Sequence, residues 1–288
     1  MPRKPNKTTS ADRDTIDAAL LSRLKEKAAW VWRETLKIHG TAPETRIASS
    51  LSPVEILVTL YYGNVLRFDP HNPRWEERDR FIASKGHGCV SLYPILADVG
   101  FIGREELAGV CKAGSRLGGI PDTNIPGIET TNGSLGHGLG VACGMALALK
   151  QKRSDAFVYV LVGDGELYEG AVWEAVMFAG QNALNNLILI VDNNGIAMLD
   201  YCRNIINLDP LDRKLREFRW DAVTVDGHDV AAVHQALSNC HRPGATRPQA
   251  IVAKTVKGRG VPQLENNALC HVKTLNKEEI AAAIGRQQ

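Results

Sequence analysis

Gly163-Asp164-Gly165 is followed, one helix and one strand later, by Asn193-Asn194. The stretch reads as strand, turn, helix, second strand and second turn. The Asp164 carboxylate and the Asn194 amide then fall on neighbouring turns at one edge of a sheet. Both are hard oxygen donors. They suit a six-coordinate Mg²⁺ that takes few ligands from protein and the rest from phosphate and water. The implied chemistry is that of a diphosphate cofactor clamped through its metal.

Those turns need a sheet behind them. Phe157 to Val162 and Leu187 to Val191 are short, continuously apolar runs. Arg80 to Ser84, Asp221 to Val225 and Gln249 to Thr255 read as further strands. Helices are expected over 13–39 (stopped by Gly40), from Ser52 to Tyr62, on to Val99, over 135–150, over 169–183 and over 229–239. Ser52-Pro53-Val54-Glu55 has the form of a capping box. Apolar strands alternating with helices predict an α/β fold, a parallel sheet with helices on both faces. In such sheets ligands sit beyond the carboxyl ends of the strands. Four polar turns fall there: Ser84-Lys85-Gly86-His87-Gly88, Gly163 to Glu166, Asp192 to Gly195, and Asp226-Gly227-His228-Asp229. A fifth, Asn132-Gly133-Ser134-Leu135-Gly136-His137-Gly138, runs into a helix. Residues 114–134 form a long aperiodic loop, a length usually kept for function. Taken singly, GDG is a common turn, His87 could be a hydrogen-bonded structural histidine, and Asn-Asn-Gly is a turn signal. Their ordered placement at strand ends favours a site.

Composition narrows the classes. The 288 residues are 44% hydrophobic and 23% charged, with net charge +2. This is ordinary for a globular protein and gives no field suited to nucleic acid. No apolar run is long enough to span a bilayer, and the basic first residues lack the apolar core of a signal peptide. Six cysteines are spread without a CxxC pair, which favours reduced thiols and a cytoplasmic location. Residues 1–12 are expected to be a flexible tail, and 13–288 a single domain with no repeat or linker.

The chain resembles the transketolase family. Gly163-Asp164-Gly165 with Asn193-Asn194 matches the thiamine diphosphate signature. Phe81 to His87, Thr131 to His137, Gly165 to Gly170, Val225 to Asp229 and Ala253 to Gly258 resemble transketolase segments in the family's order. The resemblance runs from about residue 14 to the end and covers only the diphosphate-binding part of a transketolase. It implies the N-terminal subunit of a split enzyme. A separate pyrimidine-domain subunit would complete it, in a heterotetramer acting on sugars.

The resemblance also implies roles. Asp164, Asn194 and the Ile196 carbonyl would hold Mg²⁺, and Gly165 would meet the diphosphate. Gly133 and Leu135 would line the thiazolium and aminopyrimidine region. His87 and His271 would reach the diphosphate or the reacting carbons. Glu169 would join an acidic inter-subunit network, although a helix N-terminus also favours a carboxylate there. His137 is either an active-site group or a helix-start hydrogen bond, and His228 would fix a turn.

Three positions depart from the family pattern: Arg46 and Ile120 stand where histidines are usual, and Asn132 where threonine is. A lost hydrogen bond to a sugar hydroxyl costs about 0.5–1.5 kcal/mol. Arg46 adds a fork of donors suited to carboxylate, sulfonate or phosphate. The expectation is therefore a specialised transketolase with a non-standard sugar. The alternatives are part of an acyloin-forming or 2-oxo-acid-using enzyme, and a non-catalytic scaffold.

Overall fold

The computed structural model describes residues 16–286, so the expected tail at 1–12 lies outside the described residues. Five strands, β1 (Arg80–Ala83), β2 (Val158–Gly163), β3 (Leu187–Asn193), β4 (Asp221–Asp226) and β5 (Gln249–Lys254), form one wholly parallel sheet in the order β1-β2-β3-β5-β4. Register pairs Ala83 with Leu161, Gly163 with Asp192, and Asn193 with Lys254. The carboxyl ends of the first three strands and of β5 therefore share one edge.

Successive side chains point to opposite faces, which builds two cores. Tyr159, Leu161, Ile188, Ile190 and Ile251 enter one cluster. Val158, Val160, Val162, Leu187, Leu189, Val191 and Val252 enter the other. The first face is covered by α1 (Ala18–Thr41), α2 (Ile47–Leu51), α3 (Val54–Tyr62), α4 (Leu92–Val99), α9 (Val230–Asn239) and α10 (Lys277–Gly285). The second is covered by α5 (His137–Gln151), α6 (Gly170–Gln181) and α8 (Leu211–Glu217). The chain reverses its direction across the sheet between β4 and β5, and the connecting helix α9 changes face. Crossovers of a single hand require that change. The α/β reading with both faces covered is what the structure shows.

Several local expectations fail for tertiary reasons. Gly40 does not stop α1: the helix runs to Thr41, and the Ala42 amide closes on Ile38 and His39. The capping box does not form. Ser52 has helical angles at the end of α2, and its hydroxyl donates to Asp192 and the Ser49 carbonyl instead of accepting from an amide of α3. The helix expected from Glu169 starts at Gly170, after a 3₁₀ turn over Asp164–Tyr168. Between Gly86 and Gly88 another 3₁₀ turn precedes α4, which starts only at Leu92. The short helices α2, α7 (Cys202–Ile205) and α8 carry too few residues for a legible period. Residues 114–134 hold neither helix nor strand, as read.

One buried ionic knot joins the loops. The Asp192 carboxylate, fully buried at the end of β3, accepts from the Lys85 ammonium, the Ser52 hydroxyl and the Thr255 hydroxyl. Lys85 also donates to the Ser49 carbonyl at 3.1 Å. Those partners hold the Asp192 pKa below the ordinary carboxylate value against the opposing effect of burial. Removing one member of such a pair leaves an uncompensated charge, at a cost of about 3–5 kcal/mol. Asp192→Ala should cost that much in urea denaturation, while Lys85→Met with Asp192→Leu should cost less than the two single losses summed. Additive losses would contradict the coupling.

A buried histidine adds a pH term. His39 Nδ1 bonds Thr45 Oγ1 at 2.9 Å, and Nε2 accepts from the Leu275 amide at 3.1 Å. Burial lowers its pKa from 6.5 to about 4. Between those values the unfolded chain binds a proton that the folded ring refuses, so this contribution is present above pH 6.5 and lost as pH falls toward 4. His39→Gln should reduce the drop in Tm between about pH 7.5 and about pH 5 relative to the natural chain, and an unchanged drop would refute this.

Candidate functional site

The polar turns converge as the strand ends require. A cavity of about 650 Å³ opens beyond β1, β2 and β3, and Asp164, Gly165, Asn194, Ile196, Gly133, Leu135, His87 and His271 all line it. One sequence-derived site residue is placed elsewhere: Glu169 is exposed, precedes the N-terminus of α6 and does not line the cavity. Its Cβ lies against Gly136, which is left-handed (φ 88°); a side chain there would meet Glu169 Cβ at 2.6 Å. His137 is likewise exposed, as the first residue of α5. His228 fixes its turn: Nδ1 bonds Glu55 at 3.0 Å and Nε2 accepts from the Val256 amide at 2.8 Å.

At one end of the cavity hard oxygen atoms gather. The Asp164 carboxylate accepts from the Gly165 amide at 2.8 Å and from the Gly195 amide, so it ties the two expected turns together. It is buried, and burial together with the nearby Asp192 charge raises its pKa to about 6. Asn194 Oδ1 accepts from the Ile196 amide at 3.2 Å. The Ile196 and Ala197 carbonyls accept from Lys257 Nζ, each at 2.8 Å. Among the described residues no three His, Cys, Asp or Glu converge as a metal cluster. A cation here would draw on one carboxylate, one amide and one main-chain carbonyl, and would need further oxygens from a ligand. At Gly165 an added Cβ would lie 3.5 Å from the Ala197 backbone, so any side chain there would touch the opposite turn.

Further in, the His87 and His271 rings stand 5.1 Å apart, and His271 Nδ1 bonds Ser49 Oγ at 3.3 Å. Burial, reinforced by Lys85, lowers the His87 pKa to about 3. Burial, reinforced by Lys257, lowers that of His271 to about 4. Both shifts favour the neutral ring, which can accept a hydrogen bond at one nitrogen and donate one at the other. Met198, Leu199 and Ile205 form an apolar, solvent-exposed lip.

Two functional side chains escaped sequence reading. Lys257 is buried and faces the oxygen-rich end, where burial and Lys85 lower its pKa to about 8. Its segment carries a signal (Lys-Thr-Val-Lys-Gly), but nothing local says which lysine turns inward. Glu166 is a buried carboxylate on the cavity wall. It accepts from Ser84 Oγ, from the Gly136 amide at 2.9 Å and from the Gly163 amide at 3.4 Å, and so joins β1, β2 and the start of α5. Ser84 Oγ in turn accepts from the Gly138 amide at 3.2 Å.

Comparison with known proteins gives the family. Residues 47–287 match the family described as transketolase, thiamine diphosphate binding domain. The chain is 38% identical over 265 residues to a putative uncharacterized transketolase family protein of Sinorhizobium fredii, covering 91% of this chain and 94% of that one. It is 37% identical to a 6-deoxy-6-sulfo-D-fructose transketolase subunit of a Clostridium species and to an apulose-4-phosphate transketolase subunit of Actinobacillus succinogenes, with 91% and 94% coverage in both cases. The crystal structure of Campylobacter jejuni transketolase superposes with a TM-score of 0.84 at 28% identity, over 94% of this chain and 43% of that chain. The chain thus spans less than half the length of that solved transketolase. The chain belongs to the transketolase family, as a counterpart of its N-terminal, thiamine diphosphate-binding part.

Glu166→Ala would strand the Gly136 and Gly163 amides and free the loop before α5. Each buried donor left unsatisfied costs about 1–3 kcal/mol. Amide hydrogen exchange at 133–138 should quicken at least tenfold in this variant, and exchange rates equal to those of the natural chain would show that the loop is held by other means.

Proposed function

We propose that the chain is the N-terminal subunit of a split transketolase that binds thiamine diphosphate and Mg²⁺ and transfers a two-carbon ketol unit between sugars. The carrying observation is the single cavity in which Asp164, Gly165, Asn194 and the Ile196 carbonyl face the His87–His271 pair. These hard oxygens fit Mg²⁺, and Lys257 beside them fits a diphosphate. The cofactor supplies the carbanion chemistry. Asp164, Asn194 and Ile196 would hold the ion, and the Gly165 backbone and Lys257 would bind the anionic tail. Gly133 and Leu135 would form the wall for the rings. His87 and His271, held towards the neutral form by burial, are suited to hydrogen-bond a substrate hydroxyl.

A partner chain bearing the pyrimidine-binding domain is part of this reading. The exposed lip of Met198, Leu199 and Ile205 supports it, since exposed apolar surface beside a site marks an interaction surface. Glu169, exposed beside Gly136, suits an inter-subunit hydrogen bond better than a place among the cavity residues. We place residues 13–288 in one cofactor-binding unit, and assembly as a heterotetramer in the cytoplasm fits the two subunit-type relatives and the six free thiols. Those relatives act, by their names, on a sulfo-sugar and on apulose 4-phosphate. A non-standard sugar is accordingly the substrate proposed here.

One observation favours a second reading, a 2-oxo-acid donor. Ile120 leans over the cavity turns, with Cγ2 2.9 Å from where a Gly86 side chain would begin. It offers apolar contact where the family commonly has an imidazole. Pyruvate decarboxylation by the assembled complex would favour this second reading.

Asp164→Ala should weaken Mg²⁺-dependent thiamine diphosphate binding by the assembled complex at least 100-fold in calorimetry. Undiminished affinity would overturn the site assignment. The chain without its partner should transfer no two-carbon unit, and turnover by it alone would overturn the split-subunit reading.

A further inference from the structure

Arg46 precedes α2, the helix from which Ser49 lines the cavity, and its side chain has no partner among the described residues. It is the residue immediately before α2, and its carbonyl is anchored by the Ser50 amide at 3.1 Å and the Ser50 hydroxyl at 3.0 Å. From α2 Ser49 lines the cavity and bonds His271. α2 also packs against the 3₁₀ turns that carry His87 (Gly86–Gly88) and His271 (Cys270–Val272). The Arg46 charge bears on both rings. Yet its half-buried guanidinium makes no ion pair and donates no hydrogen bond among the described residues. Arg67, Arg78, Arg116 and Arg216, by contrast, each engage carboxylates. Of the cavity lysines, Lys85 is paired with Asp192, and Lys257, which also donates to two carbonyls, is the group assigned above to the cofactor's anionic tail.

A guanidinium presents five donors in a planar fork that matches a carboxylate, sulfonate or phosphate in two parallel bonds. Placed before the helix that packs on the His87 and His271 turns, it is a cation with no protein partner among the described residues. We propose that Arg46 is a specificity-determining residue that receives an oxyanion group of the donor substrate, so that the enzyme prefers acidic donors to neutral ones. The inference rests on the two-carbon transfer reading above and narrows its substrate class.

Three donors that deliver the same two-carbon unit separate the possibilities in the assembled, cofactor-loaded complex. Hydroxypyruvate carries a carboxylate on the reacting carbonyl, xylulose 5-phosphate a phosphate at its far end, and erythrulose no charge. Arg46→Gln should lower kcat/KM for at least one of the two acidic donors roughly 10- to 100-fold more than for erythrulose, chiefly through KM. Which acid suffers identifies the source of the oxyanion. Arg46→Lys should recover part of the loss, since a point charge replaces a fork. Thiamine diphosphate affinity, read by calorimetry, should change less than threefold. Equal losses for all three donors, or collapse of cofactor affinity, would overturn the inference while leaving the transfer reading intact. A loaded complex that turns over none of the three removes the transfer reading itself, and the inference with it.

Discussion

A carboxylate with no access to water holds this site together. Asp192, next to last in β3 in the middle of the sheet, takes donors from Lys85 after β1, Ser52 between α2 and α3, and Thr255 after β5. Three loops far apart in sequence are thereby fixed to one point. Each carries a cavity residue within a few positions: His87 two residues past Lys85, Ser49 three before Ser52, Lys257 two past Thr255. A buried pair of this kind is weak as a net source of stability, because desolvation opposes its attraction. Its value here is geometric, since few arrangements satisfy both charges and most alternatives strand one.

The same sparing use of charge shapes the cavity. Asp164 and Glu166 are carboxyl groups on its wall, and among the described residues neither is matched by a side-chain ion pair; backbone amides hold both, with a hydroxyl added at Glu166. Burial raises both pKa values. A divalent cation beside Asp164 would relieve that penalty. On the opposite side burial and the two lysines drive His87 and His271 to the neutral state. The cavity thus separates an end that favours a cation from an end with two imidazoles held towards the neutral form.

Legibility followed the range of the interactions. Val158 to Val162 and Leu187 to Val191 announced themselves because strands buried on both faces need apolar side chains at every position. Gly163 to Gly165 and Asn193-Asn194 were readable because turns at strand ends have restricted chemistry. Ser52 misled, because its hydroxyl answers to Asp192, 140 residues away, and not to the nearby helix. Gly40 misled because the end of α1 is set by where Ala42 must be buried. Glu169 and Glu166, three residues apart in one turn, could not be ranked from sequence: the 3₁₀ winding turns Glu166 inward and leaves Glu169 in solvent.

The amino-acid order by itself determined the parallel α/β architecture, the strand ends that bear the site, and the oxygen donors at Asp164 and Asn194. Each of these follows from local periodicity or from chemistry confined to one turn. Only the folded chain decided that Lys257 faces the Ile196 carbonyl, that Glu166 staples the loop before α5, and that Arg46, unpaired among the described residues, precedes the helix packed on the His87 and His271 turns. Those facts depend on contacts between segments separated by tens to hundreds of residues, and no local pattern encodes which polar groups will find partners once water is excluded.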